Sequence, residues 1–465
     1  MYARVFDRTE EETCSVDAVV PDALGDIGAI VVAEGTFCLW NLDFSDKSAQ
    51  IEGSIAADVV YAEEGGALRS FPVELPVKVR ISGETLSPDV RPWLRCTLTA
   101  LDARAVNSRK VRVTARLSLC LHAYRETELA LTDRIEGDGG AVFTRTETLR
   151  VQIPVSVEEK TFTVSETHRF LSGQPEADRL LCHTETVLLD DVSSAGSRVI
   201  LQGRVCAAVT YLPQGQMCPV VETFETAFSQ MLDCPADTSP CLLHTTVNLT
   251  AAYLNVSAAA DGAALEAEYH LVAQTVCLAD AEADCVTDAY CNTAELTLER
   301  ETVAAGTVVS RRAVVCGMTE DGCDVLVRLL AADTEQHVSC MEKRLYLPLE
   351  PADGARLELL SVQPEEPVVT VTADGFQIRV TVTVRTAALQ ESDLRQVTGA
   401  TAQERACPYA SVPSLTIVRW GGEDLWTLAK RYCSSERLIR ETNGLTDEAA
   451  MAEAPQYLLI PKTQA

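Results

Sequence analysis

The chain has 465 residues, a formal net charge of −29 and a hydrophobic fraction of 47%. This length exceeds one ordinary hydrophobic core and predicts two to four domains. The negative charge would repel a phosphate backbone, so nucleic-acid binding is disfavoured. The sequence contains neither a run of about 18 apolar residues nor a basic, then apolar N-terminal stretch, which predicts no membrane span and no signal peptide.

The 17 cysteines include no Cys-x-x-Cys pair, and many alternate with Val or Leu, as at Cys120 and Cys206. Because no signal peptide is predicted, we expect reduced cytoplasmic thiols that fill hydrophobic cores. Oxidative crosslinking within an assembly is the open alternative. Cys277, Cys285 and Cys291 are too irregularly spaced for a zinc site. The sequence therefore predicts no metal site and no cofactor.

Two segments, Ile51 to Tyr61 and Leu201 to Tyr211, repeat at an offset of 150 residues. Their glycines, Gly53 and Gly203, align, and so do their terminal tyrosines. Alternate positions are apolar or small while the others are polar, which predicts long, half-buried antiparallel strands. The shared glycine predicts a bulge or a close backbone approach.

Hairpin turns are predicted at Asn107-Ser108, Asp261-Gly262 and Asp374-Gly375, each between two alternating segments. Three related hairpins imply three copies of one β domain, and the third, around Val325 to Leu329, is the most divergent. The predicted fold class is mainly β, with three repeated antiparallel, sandwich-like domains and a small terminal unit. Exposed strand edges of these domains would suit β-augmentation by a partner.

Composition and turn signals divide the chain into five segments. They are a first β domain at 1–153, a second at 154–294, a third at 295–405, a proline-containing linker at 406–413 and a terminal β-α-α-β unit at 414–463. The prolines of the linker limit helix formation and stiffen the tether.

The terminal unit begins with a predicted strand, Leu415 to Val418. Gly421-Gly422 permits a tight turn, and Asp424 can accept backbone N–H groups at a helix start. Helical spacing then produces one apolar stripe, formed by Leu425, Leu428, Ala429 and Tyr432. Trp426 lies off this stripe, so we expect it to be more exposed than Trp420.

A second helix carries Leu438 and Ile439 and can be capped by Ser434 or Ser435. Asn443-Gly444 ends this helix, because these residue types favour the left-handed conformation at helix C-termini. Tyr457 to Ile460 returns as the partner strand, and Pro461 closes it.

This arrangement resembles a LysM domain. The residues that fill the family pattern are Val418, Gly422, Leu425, Trp426, Ala429, Tyr432, Ile439, Asn443, Leu445, Leu459, Ile460 and Pro461. The resemblance implies binding of N-acetylglucosamine polymers, including peptidoglycan, in a groove between two loops. The implied ligand-binding or partner-binding residues are Gly422, Glu423, Asp424, Trp426, Asn443, Leu445, Met451 and Gln456.

The segment departs from the LysM pattern before its last strand. Pro455 replaces the usual glycine, and the preceding loop, 446–454, is long and acidic. A glycan ligand and a protein ligand therefore both stay open, because a fold does not fix a function.

The whole chain resembles the SipL-type spore coat morphogenesis proteins of sporulating clostridia, which combine SPOCS repeats with a C-terminal LysM domain. The matching segments are Ile51 to Tyr61 with Phe71 to Leu75, and Val199 to Tyr211 with Val221 to Gln230. This resemblance implies a mother-cell cytoplasmic protein at the forespore surface that helps attach the spore coat. Its implied partner is a coat morphogenetic ATPase of the stage IV sporulation protein A type.

The sequence has no phosphate-binding Gly-x-x-x-x-Gly-Lys loop, no His-Glu-x-x-His and no Gly-x-Ser-x-Gly. The segment Cys182-His183-Thr184-Glu185 is the most suggestive local group, but neighbouring strand residues point to opposite faces, so Cys182 and His183 would not pair. We therefore predict no catalytic residues and a non-enzymatic scaffold. A peptidoglycan-binding cell-wall protein is the alternative, and a hydrolase would require paired carboxylates or an activated nucleophile.

Overall fold

The computed structural model shows a mainly β protein with several antiparallel sheets, as predicted. It describes residues 1–128, 130–135, 142–170, 177–216, 218–234, 241–259, 262–291, 295–314, 322–332, 338–348, 356–365, 367–372, 375–403, 413–445 and 456–463.

The described residues form long strands and two short helices. The strands are β1 (Tyr2–Val19), β2 (Ile27–Ser45), β3 (Ser48–Glu63), β4 (Leu68–Ser82), β5 (Arg91–Asn107), β6 (Lys110–Glu126), β7 (Val142–Arg169), β8 (Ala177–Ala195), β9 (Arg198–Pro213), β10 (Val220–Asp233), β11 (Cys241–Ala259), β12 (Gly262–Cys291), β13 (Glu295–Val314), β14 (Gly322–Ala332), β15 (Val338–Pro348), β16 (Arg356–Pro364), β17 (Val368–Thr372), β18 (Gly375–Arg379), β19 (Val382–Gln403), β20 (Leu415–Arg419) and β21 (Tyr457–Pro461). The helices are α1 (Leu425–Tyr432) and α2 (Glu436–Asn443).

The strand order of the first six strands recurs in the next six. One sheet has the order β2-β3-β4 and another β1-β6-β5, and they are followed by β8-β9-β10 and β7-β12-β11. Further along the chain, β13-β19-β16 form a three-stranded sheet, and the pairs β14-β15, β17-β18 and β20-β21 form smaller ones.

Strand β4 shows how the sequence produces these sheets. Phe71, Val73 and Leu75 alternate with exposed residues, so one face is apolar and the other polar. Pro72 and Pro76 lie in the same strand and cannot donate a ladder hydrogen bond. They are tolerated because β4 lies at the edge of its sheet.

Each pair of sheets shares a hydrophobic core. Val73 and Val79 of β4 belong to the same buried cluster as Val113 and Leu117 of β6. In the following six strands, residues from β9, β10, β11 and β12 form a corresponding cluster, which contains Val205, Val209, Phe224, Phe228, Leu249, Leu265 and Tyr269.

The two aligned glycines lie at equivalent irregularities, which confirms the prediction made for them. Beside Gly53 the pairing of β2 with β3 slips by one residue, and beside Gly203 the pairing of β8 with β9 slips in the same way. A Cβ atom would lie 2.4 Å from the carbonyl oxygen of Cys38 at the first glycine and of Leu188 at the second. The aligned tyrosines, Tyr61 and Tyr211, are both fully buried.

The predicted hairpins are present as strand pairs, but each turn is displaced by one residue from the prediction, because Asn107, Gly262 and Gly375 are paired strand residues. Asn107 pairs with Lys110 at the end of the β5–β6 hairpin, and Thr372 pairs with Gly375 at the end of the β17–β18 hairpin. The β11–β12 hairpin closes in the same way. Residues 260–261 and 373–374 of the other two turns lie outside the described residues.

Backbone contacts divide the chain into two compact units. The first contains residues 1–128, 153–279 and 308–390, and the second contains 129–152, 280–307 and 391–465. Strand β7 runs without interruption through position 153, where the sequence places a domain boundary. The division into three β domains, a linker and a terminal unit stays a prediction.

Within the first unit, edge strands of the first two sheet pairs meet through side chains. The Thr36 hydroxyl of β2 donates to the Glu185 carboxylate of β8 over 2.6 Å, and it accepts the backbone N–H of Glu185. The Asn248 side chain of β11 bonds the carbonyl of Leu94 and the N–H of Cys96 on β5. The edges of β2 and β5 are therefore covered at these positions. The expectation that strand edges of the β domains serve β-augmentation stays a prediction for the other edge strands.

In the part of the chain that the structure describes, no helix is long and apolar enough to span a membrane.

Replacing Gly53 or Gly203 with Ala should destabilise the first unit. The new Cβ would collide with a backbone carbonyl that a strand ladder holds in place, and such overpacking costs about 1–3 kcal/mol. Urea unfolding followed by circular dichroism measures the loss. Gly65→Ala is the matched control because no atom lies within 4 Å of its Cβ position. Equal stability of all three variants would contradict the close approach.

Candidate functional site

The C-terminal segment of the second unit runs β20, α1, α2, β21, and local signals fix the helix ends. The Asp424 side chain caps α1 by accepting the N–H of Trp426. Ser435, one of the two predicted alternatives, caps α2 by accepting the N–H of Leu438 over 3.2 Å. Gly444 ends α2 with a φ of 69°, as its residue type predicts.

Asn443 joins the second helix to the last strand. Its side-chain amide donates to the carbonyls of Ile439 and Leu459 and accepts the N–H of Leu459 over 2.8 Å. All of these bonds serve the backbone, so the residue has a structural role in addition to any contact with a ligand.

Trp426 is buried, so the expectation that it is the more exposed tryptophan is wrong. Its side chain is 7% exposed, whereas Trp420 is only partly buried. The indole packs edge-on against Tyr290 of β12, with ring centres 5.0 Å apart. Helical periodicity within the tail could not reveal this contact, because Tyr290 lies far away in the sequence.

Residues of β7 and β12 extend the core of the tail. Phe143 stacks on Tyr290 at 5.1 Å, and the Tyr290 hydroxyl donates to the Ser434 carbonyl over 2.6 Å. Arg145 of β7 forms an ion pair with Asp424 at 2.8 Å. The tail is thus part of a core that it shares with strands from the middle of the chain.

Asp288 of β12 is the charged centre of this contact. Its carboxylate accepts the indole N–H of Trp426 over 2.8 Å and pairs with Lys430 at 3.0 Å and Arg300 at 2.9 Å. Burial disfavours its charged form, but the hydrogen bonds from Trp426 and Lys430 outweigh burial and hold the pKa of Asp288 below its ordinary value.

Of the residues that the LysM resemblance selects, three form an exposed surface. Gly422 has a φ of 88°, which favours glycine, and it is exposed together with Glu423 and Gln456. Trp420 links the loop after β20 to the residue before β21. Its backbone N–H donates to the Gln456 carbonyl, and its indole N–H donates to the Glu423 carbonyl.

The remaining selected residues have other positions. Asp424 is exposed but is engaged by Arg145 and by the helix start. Leu445 is buried in the tail core with Trp426. Met451 lies outside the described residues.

The outward side of the β20–β21 pair carries an apolar surface, which we call the outer face. Its members point away from the helices and have large exposed fractions. They are Leu415 at 50%, Ile417 at 65%, Tyr457 at 56% and Leu459 at 37%. Ile417 pairs directly with Leu459, and Arg419 pairs with Tyr457. Contiguous exposed apolar side chains of this kind mark interaction surfaces.

Sequence reasoning missed Phe143, Arg145, Asp288 and Tyr290. The alternation that continues beyond Val276 carries a signal for the last two, because it predicts that the strand extends toward them. Nothing in a single sequence indicates that this strand end packs against the tail.

A second polar cluster lies in the first unit, around the suggestive segment of β8. The His183 imidazole is 2.6 Å from the Glu185 carboxylate and 3.7 Å from that of Asp58. Burial lowers the pKa of His183, but the hydrogen bond that its ring donates to Glu185 and the charges of both carboxylates raise it by more. Burial raises the pKa of the neighbouring Cys182 thiol to about 12, so this thiol is protonated near neutral pH.

A cavity of about 420 Å³ adjoins this cluster. It is lined by residues of β2, β5, β8, β11 and β14, including Thr36, Glu185 and Asn248. Arg328 reaches its rim, donates to the carbonyls of Ala33 and Leu101 and pairs with Glu342 at 2.7 Å. Thr36 and Glu185 bond each other, and Asn248 and Arg328 bond backbone groups of neighbouring strands. These polar groups therefore join strands.

Asp288→Asn should loosen the tail from β12, with a loss of about 1.5–3 kcal/mol at neutral pH, because hydrogen bonds to a charged group are lost. A lowered folded pKa means that the stabilisation is present above about pH 4 and is lost as the pH falls through the folded value. Urea unfolding from pH 7 to pH 3, followed by hydrogen exchange of α1 amides, measures both effects. Asp284→Asn, an exposed position on the same strand, should change little. An unchanged pH profile in the Asp288 variant would contradict the assignment.

His183→Gln should destabilise the first unit by about 1–3 kcal/mol at pH 6 and by less at higher pH. A raised folded pKa means that the stabilisation is fully present below about pH 6.5 and is lost as the pH rises through the folded value. The test measures the unfolding free energy of the variant and of the native protein at pH 6 and at pH 9. The difference between the two proteins should be smaller at pH 9. His270→Gln is the control, since His270 also faces a carboxylate two residues away, Glu268, but on an exposed surface. A difference that grows with pH would refute this pairing.

Within the residues that the structure describes, no group of three or more His, Cys, Asp or Glu side chains could hold a metal ion. Comparison of the chain with known proteins finds no matching family model, no matching curated protein and no matching solved structure. Any functional conclusion therefore depends on the residues and their geometry.

Proposed function

We propose that this protein is a non-enzymatic scaffold of the bacterial spore envelope, and that its C-terminal segment is a LysM domain that docks it to a coat-basement protein. The body of the chain, in this proposal, consists of three SPOCS-like β domains. The partner is a coat morphogenetic ATPase of the stage IV sporulation protein A type, met in the mother-cell cytoplasm at the forespore surface.

Two features support the domain assignment. The order β20, α1, α2, β21 agrees with the strand–helix–helix–strand order of the LysM pattern, and residues of that pattern, including Leu425, Ala429 and Ile439, are buried together. The sheet orders of β1 to β6 recur in β7 to β12, as a repeated domain requires.

The observation that carries the docking proposal is the outer face. Ile417 is 65% exposed and pairs directly with Leu459, and Leu415 and Tyr457 are exposed two residues away on the same two strands. A protein interface needs an apolar centre with a polar rim, and the neighbouring Arg419, Glu423 and Gln456 can supply the rim.

The same surface favours a protein over a glycan as the ligand. Sugars are recognised by polar groups together with aromatic rings, and aliphatic side chains such as Leu and Ile offer them little. Trp426, the tryptophan inside the helical pattern, is covered by Tyr290 and bonded to Asp288, so it is not free to stack on a sugar. The open apolar area is instead aliphatic with one tyrosine.

The test uses the full chain with Ile417→Asp and, separately, Leu459→Asp. Each change puts a charge into the centre of the proposed interface, so capture of the purified ATPase should fall by at least about tenfold, as for a residue at an interface centre. Val106→Asp, at a 51% exposed apolar position of β5, is the matched control and should bind normally.

Sedimentation with purified peptidoglycan is the second arm of this experiment. Under the docking proposal the native chain does not sediment with the wall polymer. Sedimentation that Glu423→Ala or Gln456→Ala abolishes, together with ATPase capture that the outer-face variants leave intact, would replace the proposal with the glycan-binding alternative.

A further inference from the structure

Two buried thiols of the first unit lie against each other. The sulfur atoms of Cys234 and Cys277 are 3.5 Å apart, and both side chains are almost completely buried. We propose that Cys234 and Cys277 are a redox-active pair that closes to an intramolecular disulfide when the protein meets a peroxide. This inference is independent of the docking proposal.

The position of each cysteine is fixed by the backbone. Cys234 follows β10, and its N–H donates to the Ser197 carbonyl over 2.8 Å. Cys277 lies in β12 and pairs with Leu243 of β11. Cys234 therefore lies at the end of the β8-β9-β10 sheet, and Cys277 lies within the β7-β12-β11 sheet.

Packing keeps the two sulfurs together. They share a buried cluster with Val199, Leu201 and Ala273. A disulfide has a sulfur–sulfur distance of about 2.05 Å, so closure needs an approach of roughly 1.5 Å from the observed contact. We expect rotation about the two Cα–Cβ bonds to supply this approach, since Cys234 lies just beyond the last residue of β10.

The contact also differentiates the two thiols. The hydrogen bond between the two sulfurs lowers the pKa of Cys234 and raises that of Cys277. Cys234 is therefore the nucleophile and Cys277 the resolving thiol, because attack requires a thiolate.

The chemistry balances with hydrogen peroxide as the oxidant. The Cys234 thiolate attacks one peroxide oxygen, the O–O bond breaks, and Cys234 becomes a sulfenic acid, while the leaving hydroxide takes up the proton that the Cys234 thiol released and becomes water. The Cys277 thiol then attacks the sulfenic sulfur, the S–S bond forms and water leaves. Two thiols lose two electrons in total, and one peroxide is reduced to two waters.

Closure would join two sheets that in this region are held together by packing. The linked positions are 43 residues apart in the sequence. A bond across a loop of this size restricts the unfolded chain and should stabilise the β8–β12 region. An oxidising environment would thus make the β8–β12 region more resistant to unfolding without any partner.

The experiment treats the full-length reduced protein with one and then ten equivalents of hydrogen peroxide, blocks remaining thiols with N-ethylmaleimide and digests it without reduction. Mass spectrometry should find the peptide pair linked through Cys234 and Cys277 as the first disulfide, because its two sulfurs are already in contact. Absence of this linked pair, or a first product that links either cysteine to a different one, would overturn the proposal.

Variants separate closure from general oxidation. Cys277→Ala should let a sulfenic-acid probe accumulate on Cys234, and peroxide should no longer raise its urea midpoint. Cys206→Ser, on neighbouring β9 and only partly buried, is the matched control and should keep both the linked pair and the rise in midpoint. A peroxide-induced rise that survives in Cys277→Ala would refute the pair. If that variant fails to fold, the linked peptide in the native protein decides by itself.

Discussion

The first unit depends on buried side chains that complete the hydrogen bonding of strand edges. An edge strand exposes a row of backbone N–H and C=O groups, and burying them without partners is costly. Here Asn248 bonds both the carbonyl of Leu94 and the N–H of Cys96, while Gln274 accepts the Leu94 N–H over 2.7 Å. Thr36 and Glu185 do the same where β2 meets β8. Each of these groups is satisfied by a specific partner, so the contact favours one register between the sheets. In another register a buried polar group would lose its partner, which is costly in free energy.

Much of the local structure follows from the sequence because its cause is local. Alternating side chains produce the strands, and the aligned glycines lie where a Cβ would meet a carbonyl. Ser435 and Gly444 end α2 by their own side-chain and backbone chemistry.

The contact partners of the strands could not be predicted in this way. Nothing within β11 shows that Asn248 serves an edge of β5, and nothing within α1 shows that Trp426 is covered by Tyr290. These contacts join positions more than a hundred residues apart, so their signal lies in pairs of segments and not in either one.

The position of Trp426 also depends on residues far away in the sequence. The LysM pattern selects Trp426 as a contact residue, but Asp288 and Tyr290 hold it inside the second unit. Asp288 also pairs with Lys430 and Arg300, so one carboxylate fixes one side of α1. An unpaired carboxylate at this depth would be unfavourable, and the three donors make its charge stable there. The exposed residues of the tail include the outer face of the β20–β21 pair and the loop residues Gly422, Glu423 and Gln456.

This division of surfaces is what a protein of long strands requires if it is to bind a chosen partner without binding its own copies. Open strand edges pair with almost any other edge, so they provide affinity without selectivity. In the described chain the edges of β2 and β5 are covered by neighbouring strands, and β4 carries Pro72 and Pro76, which cannot donate to an added strand. Side-chain contacts of the kind proposed for the outer face are more selective, because Ile417 and Tyr457 would need a partner of matching shape. Under the docking proposal, the covered or proline-bearing edges of β2, β4 and β5 would leave the outer face as a more selective surface for the partner.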